Sequence, residues 1–232
     1  MPSYEADGFL RISGACREGE LSAIDGEAAG IHGAGSRIQR FGPATLAMAA
    51  RMLGLLRERR LAGDGWALAW ITLFDKRPER NWAVPLHRDE FVPLLDAQHP
   101  IDGISERCEK EGQAYGKAAA HILRSIIAVR LSLDPAGADS GALLVVPGSH
   151  AGASTRPQEL VETERGDLLV MSPLLEHASR KVQGGRRRRV IHCSFVAPAW
   201  VGVIGSAIMA QARHGGADAP TAGDSAPPCR AG

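Results

Sequence analysis

The 232-residue sequence predicts a mainly β fold with flanking helices, an antiparallel sandwich of the double-stranded β-helix (jelly roll) kind. Three observations lead there. One strongly periodic helix stands near the front, a succession of short apolar runs follows it, and loops or tight turns join those runs in place of regular crossover helices. A parallel arrangement would need a long crossover, usually a helix, after each strand, and the sequence offers none at that spacing. At 24.6 kDa the chain can bury well over half of its unfolded surface in one domain, expected over residues 1–212.

In chain order, YEADGFLRIS reads as a short helix or turn running into a strand. Pro43 stands where the first turn of a helix accepts a proline. Behind it Leu46, Met52, Leu53, Leu55 and Leu56 recur at near-helical spacing, RERRL supplies positive charge to the last turn, and Gly63 and Gly65 end the element. A helix over 44–61 is expected. ALAWITLF is a buried strand ending at Asp75 and Lys76; the loop RPERNW and a strand carrying His87 follow. Residues 91–123 form a polar excursion with no clear apolar period, expected to contain some helix and to act as a lid or substrate segment. SIIAVRLSLD returns to strand, with Arg130 and Ser132 on one face and Val129, Leu131 and Leu133 on the other. ALLVVPGSH is a strand and a turn, and GDLLVMSPLLEH and RRRRVIHCSFVAP are two further strands around the turn QGG. The tail 213–232, rich in Gly, Ala and Pro, is expected to be disordered. No internal repeat is present.

Bulk properties narrow the function. Lys and Arg number 27 against 26 acids, a net charge of +1, so no nucleic-acid or other polyanionic partner is expected. RRRR at 186–189 does not change that, because on a strand its side chains alternate between faces. The solvated-face reading suits all of them but Arg188. The four cysteines are scattered without a C-x-x-C pair, which suggests neither a disulfide framework nor a zinc site. Without a secretion signal or an apolar run of about 20 residues, the expectation is a cytoplasmic protein with no membrane partner.

The informative stretch is NWAVPLHRDEF, residues 81–91. On a strand, His87 and Asp89 share a face and bring an imidazole and a carboxylate together. Two histidines and one carboxylate on one face make an iron(II) site with three open positions. Such a site needs a second histidine delivered from far along the chain. His177, at the end of an apolar run, is the first candidate; His150, after the turn Pro147-Gly148-Ser149, and His192, in phase with Arg188, are its rivals. Arg188 offers the guanidinium needed to grip a carboxylate bidentately, and Ser179 offers a hydroxyl.

Three blocks carry a resemblance. LFDKRPERNWAVPLHRD, RLSLDPAGADSGALLVVPGSH and GDLLVMSPLLEHASRKVQGGRRRRVIHCSF, in this order, resemble the phytanoyl-CoA dioxygenase family of iron(II)/2-oxoglutarate oxygenases, and DGFLRISG with GAGSRIQR resembles its weaker N-terminal pattern. The resemblance implies a jelly roll in which His87, Asp89 and His177 hold Fe(II). It implies that Arg188 pairs with the C5 carboxylate of 2-oxoglutarate, that Ser179 hydrogen-bonds it, and that Lys76 and Thr72 touch the co-substrate. With O2 as second co-substrate, it implies oxidation of an unactivated C–H bond with release of succinate and carbon dioxide. Asp89 favours hydroxylation, since related halogenases replace that carboxylate; desaturation and cyclisation stay open. The chain departs from the family at Arg88, where glutamine is common, at Leu86, where many bacterial relatives have tryptophan, and in lacking an aromatic residue after the motif.

Family members act on acyl-CoA thioesters, amino acids, compatible solutes and natural-product intermediates. The polar character of 96–117 points to a small polar metabolite or natural-product intermediate as the small-molecule substrate, with Asn81, Trp82, Arg88 and Arg130 as candidate contacts. The rival from another class is a jelly-roll ligand-binding protein that has lost turnover, motivated by Arg88 between the ligands. A zinc-dependent cupin-type enzyme is weaker, for want of a second ligand at cupin spacing. Oligomeric state is not legible.

Overall fold

The computed structural model describes residues 2–31, 35–37, 42–96 and 98–205; the expected disordered tail, His32 and His214 lie outside them. A short helix α1 (Tyr4–Asp7), capped by the Ser3 hydroxyl and stopped by Gly8 in the left-handed region, leads into β1 (Phe9–Ile12). Helix α2 (Glu18–Ala28) comes next, then β2 (Gly35–Arg37) and α3 (Pro43–Glu58). Two front helices therefore stand where one was expected. The glycines at 19 and 26 blur the apolar face of α2 in the sequence. Helix α3 has no side-chain cap of its own at Gly42. The Glu27 carboxylate of α2 takes that place, accepting from the amides of Ala44 (2.7 Å) and Thr45 (2.9 Å). At its other end α3 stops at Glu58, short of the expected 61, and Arg60 takes a positive φ of 58° before either glycine is reached.

The strands that follow are β3 (Ala67–Lys76), β4 (Val84–His87), β5 (Phe91–Pro93), β6 (Ile104–Lys110) and β7 (Gln113–Ala118). After the one-turn helix α4 (Ala120–Leu123) come β8 (Ile126–Ser132), β9 (Leu143–Val145), β10 (Glu159–Val161), β11 (Leu168–Met171), β12 (His177–Ser179) and β13 (Arg188–Val196). They form an antiparallel six-stranded sheet in the order β1-β11-β8-β13-β3-β2, a four-stranded sheet β10-β9-β12-β4, and a small sheet β5-β7-β6. This is the expected mainly β architecture.

The polar excursion differs from expectation: it is the small sheet, with helix confined to α4. Glu111 and Gly112 both take positive φ, 54° and 74°, and form a two-residue turn joining β6 to β7. The sheet packs through Val92, Leu94 and Ala118 against Ile122, Leu123, Ile126, Val196 and Ile204. The run GDLLVMSPLLEH is also two strands, not one. It breaks after Met171, so that β11 stays in the large sheet and β12 crosses to the smaller one. Cys16 and Cys193 are free thiols. No described helix is long and apolar enough to cross a membrane.

Alternation along the strands decides which side chains meet. On the outer face of the large sheet Ile71, Leu73, Val129, Leu131, Ile191 and Phe195 pack against Leu21, Ile24, Met48, Met52 and Leu56 of α2 and α3. Between the two sheets Phe9, Leu143, Val145, Leu169, Met171 and Leu175 fill the interior. Beside Phe74 and Val190, further inner positions of β3, β8 and β13 carry polar side chains: Thr72, Lys76, Arg130, Ser132, Arg188 and His192. Of these all but Thr72 are buried.

Candidate metal centre

His87 is the last residue of β4 and His177 the first of β12, and the two are directly opposite one another in the antiparallel ladder. Their rings are 4.3 Å apart. Each ring nitrogen Nδ1 lies 2.9 Å from a backbone carbonyl two residues earlier, Pro85 for His87 and Leu175 for His177. A carbonyl only accepts, so Nδ1 carries the proton in both and Nε2 is left with a free lone pair. Asp89 completes the group, with Oδ1 3.4 Å from His87 Nε2 and Oδ2 3.7 Å from His177 Nε2. One ligand atom from each lies within 4.8 Å of the others, and among the described residues this is the one such cluster able to hold a metal ion. Convergence does not come from strand alternation as anticipated, because Asp89 lies beyond the end of β4. Its amide donates to the carbonyl of Pro173 (2.9 Å), which turns the carboxylate towards the histidines.

The electrostatics suit a cation. Burial works to raise the Asp89 pKa, but the attraction of His177, the contact with His87 and the proximity of His192 outweigh it and hold the carboxyl well below its usual range. The bond to Asp89 pushes His87 up against burial. Burial pushes His177 down against the attraction of Asp89. Two neutral imidazoles and a carboxylate with one open side match the donor set of a non-haem iron(II) site. The rivals are placed elsewhere. His192 faces Arg130 (Nδ1 to Nη1 3.3 Å) and is pushed down to about 3 by burial and that guanidinium. His150 has Nε2 3.2 Å from the Glu5 carbonyl and lies against Gly8.

Behind the triad three cations line the inner face. Lys76 and Arg188 are opposite each other on β3 and β13. Lys76 Nζ donates to the Ser179 hydroxyl (2.9 Å) and the Arg180 carbonyl (2.8 Å), and lies 5.1 Å from the ring centre of Trp82. Burial, then Arg188 and Arg130, push its pKa down to about 7. Arg188 is buried with Nε unpartnered, and burial pushes it down to about 9. Arg130 and Arg188 line one cavity with Ser132, Thr163, Leu143 and Val190. Buried cations that form no salt bridge among the described residues, one with an orphaned N–H, fit a site built for an anionic ligand. Thr72 is half-buried on the same face, opposite His192.

The other candidates are placed differently. Asn81 uses both ends of its amide on the backbone of Val182 (2.6 and 2.8 Å), so it fastens a loop. Arg88 turns away from the triad: Nη2 donates to the Ser149 carbonyl (2.9 Å) and lies 3.3 Å from Glu176 Oε1. The solvated-face expectation for the arginine run holds at Arg187, which is exposed while it pairs with Asp75, and fails at the largely covered Arg189. Arg187 grips the buried Asp75 (2.8 and 2.9 Å) and Arg189 grips Asp134 (2.8 and 2.7 Å). Sequence reasoning missed Phe74, whose ring lies 5.4 Å from the Arg130 guanidinium and edge-on to His192; its alternation in phase with Thr72 and Lys76 was the available signal. It also missed Glu176, which carried no signal at all.

Comparison with known proteins adds to this geometry. A search of curated proteins finds no match. Among solved structures the fold is similar to HygX from Streptomyces hygroscopicus with nickel and 2-oxoglutarate bound, at 17% identity and a TM-score of 0.60, covering 84% of each chain. It is also similar to SnoN, the non-haem α-ketoglutarate-dependent epimerase from nogalamycin biosynthesis, at 18% identity and a TM-score of 0.61, covering 97% of this chain and 94% of that one. EvdMO1 matches at 19% identity and a TM-score of 0.58 over 84% of this chain, which spans about half (48%) of that longer one. The family model described as phytanoyl-CoA dioxygenase matches residues 4–190, a stretch that contains the whole triad and all three inner cations; the chain belongs to the phytanoyl-CoA dioxygenase family.

Proposed function

We propose that this chain is an iron(II)- and 2-oxoglutarate-dependent dioxygenase that hydroxylates an unactivated C–H bond of a small polar metabolite or natural-product intermediate. One observation carries the reading: two histidines with Nδ1 tied to backbone present free Nε2 atoms to one carboxylate, in front of buried cations that form no salt bridge among the described residues. HygX, with nickel and 2-oxoglutarate in one structure and hygromycin B as well in another, supports the choice of co-substrate and of a small-molecule substrate. SnoN, an epimerase, marks the outcome that competes with hydroxylation.

In this reading His87, Asp89 and His177 hold the iron, which with 2-oxoglutarate and O2 supplies the oxidising chemistry. The chain's own work is binding and positioning. Arg188 pairs with the far carboxylate of 2-oxoglutarate and the Ser179 hydroxyl hydrogen-bonds it. Lys76, which already holds Ser179, fixes that hydroxyl, and Thr72 borders the same space. Trp82 covers Lys76 from solvent. The buried floor of Val190 and Leu143 keeps water from the carboxylate and so strengthens its pairing with Arg188. The binding-protein reading loses its motive, because Arg88 is engaged with Glu176 and does not compete for Asp89.

The test is spectroscopic. Iron(II) and then 2-oxoglutarate, added without oxygen, should produce a weak visible charge-transfer band that needs both and is absent in Asp89→Ala. No band, together with no calorimetric binding of 2-oxoglutarate, would remove the oxygenase reading.

A further inference from the structure

The three inner cations repel one another, and the acids around them are engaged elsewhere. Asp75 is on the opposite face of β3, held by Arg77 and Arg187. Asp134 is bonded to Arg189 and Glu176 pairs with Arg88. Asp89 attracts Arg130 but belongs to the triad. The groups facing Lys76 are Arg188 from β13, Arg130 from β8, Ser179 from β12, the Arg180 carbonyl and the ring of Trp82. A guanidinium keeps its proton in a protein, whereas a buried ammonium gives one up readily. Lys76 is therefore the member of the cluster that relieves the repulsion, and its pKa of about 7 says that it does so near neutrality. Arg130 lines the same small cavity as Arg188, so a carboxylate group reaching it would meet two guanidiniums.

Resting on the co-substrate reading above, we propose that Arg130 is a second guanidinium for 2-oxoglutarate, and that the dicarboxylate binds together with one proton taken up by Lys76. Two negative charges beside Nζ favour the ammonium over the amine. The proton passes from buffer to the Nζ lone pair, and no other bond changes. Affinity for the co-substrate then falls as pH rises above 7, because the free protein increasingly lacks the proton that the complex holds.

Calorimetric titration of 2-oxoglutarate into the full nickel(II)-loaded chain, at about pH 8 in Tris and in HEPES, reads the proton directly, since the two buffers differ in ionisation heat. The wild type should take up on the order of one proton per 2-oxoglutarate. Lys76→Met should still bind, more weakly, with equal heats in both buffers. Arg130→Gln should lose about tenfold or more in affinity and take up less proton, because Lys76 loses a repelling neighbour and stays protonated in the free protein. Equal heats for the wild type in both buffers would overturn the proton step, and unchanged affinity in Arg130→Gln would overturn the second guanidinium. Failure of 2-oxoglutarate to bind the wild type at all would sink the proposed function, and this inference with it.

Discussion

His87 and His177 are cross-strand partners, and each points its Nε2 forward because its own Nδ1 is held by the carbonyl two residues behind it. The same short-range device on two distant segments means that the ladder between β4 and β12 sets the spacing of the ligand atoms, and the backbone sets their tautomers. The spacing of the proposed metal ligands is thus written into the register of one strand pair.

Removing His177 tests that pairing. His177→Ala should bind nickel(II) or iron(II) more weakly by at least the roughly 10–100-fold that losing a supporting partner costs, and should give no charge-transfer band with 2-oxoglutarate. Metal affinity equal to the wild type, measured by calorimetry, would remove His177 from the ligand set.

Arg88 stands between two ligands and reaches the residue before the third. It ties the His87–Asp89 segment to Glu176 and to the carbonyl of Ser149, whose hydroxyl accepts from the Glu176 amide at 2.8 Å. Arg88→Met should loosen the metal by roughly 10-fold with little change in secondary structure. Restored affinity in Arg88→Lys would show that charge alone suffices and that the two-partner geometry is unimportant.

Arg188→Ala should weaken 2-oxoglutarate binding by roughly 2–5 kcal/mol, the usual cost of truncating one side of a buried charge pair. Metal affinity should stay near that of the wild type, since Arg188 touches none of the triad. Equal loss of both would indicate a collapsed interior.

Asp75 links pH to stability. Burial works to raise its carboxyl pKa, but bonds from Arg187 and Arg77 outweigh this and lower it from the ordinary value of 3.8. A carboxyl that is more acidic folded than unfolded stabilises the fold above the unfolded value, and the contribution fades as pH falls through the folded one. Acid titration of the wild type should therefore show loss of stability below about pH 4. Asp75→Asn should be less stable at pH 7 and flatter across the acid range; parallel curves for the two proteins would exclude Asp75 as the linked group.

Local chemistry was legible in the sequence where it stayed local. Pro43 announced the start of α3, the alternation in SIIAVRLSLD set Leu131 and Arg130 on opposite faces, and His87-Arg88-Asp89 announced two members of the candidate cluster. The excursion was misread because β6 and β7 are mostly polar and their register shifts between Ser105 and Cys108, which erases the period of two that marks a strand. Helix α2 was missed because its apolar residues number too few to form a stripe.

By itself the sequence determined the class of the fold and the residue types of the candidate site, since these depend on residue identity and short spacing. Tertiary structure alone decided which distant histidine faces His87, that Glu27 caps the next helix, and that Lys76, Arg130 and Arg188 from three strands face one interior. Those facts depend on strand register, which the packing of both sheets selects as a whole and no single segment encodes.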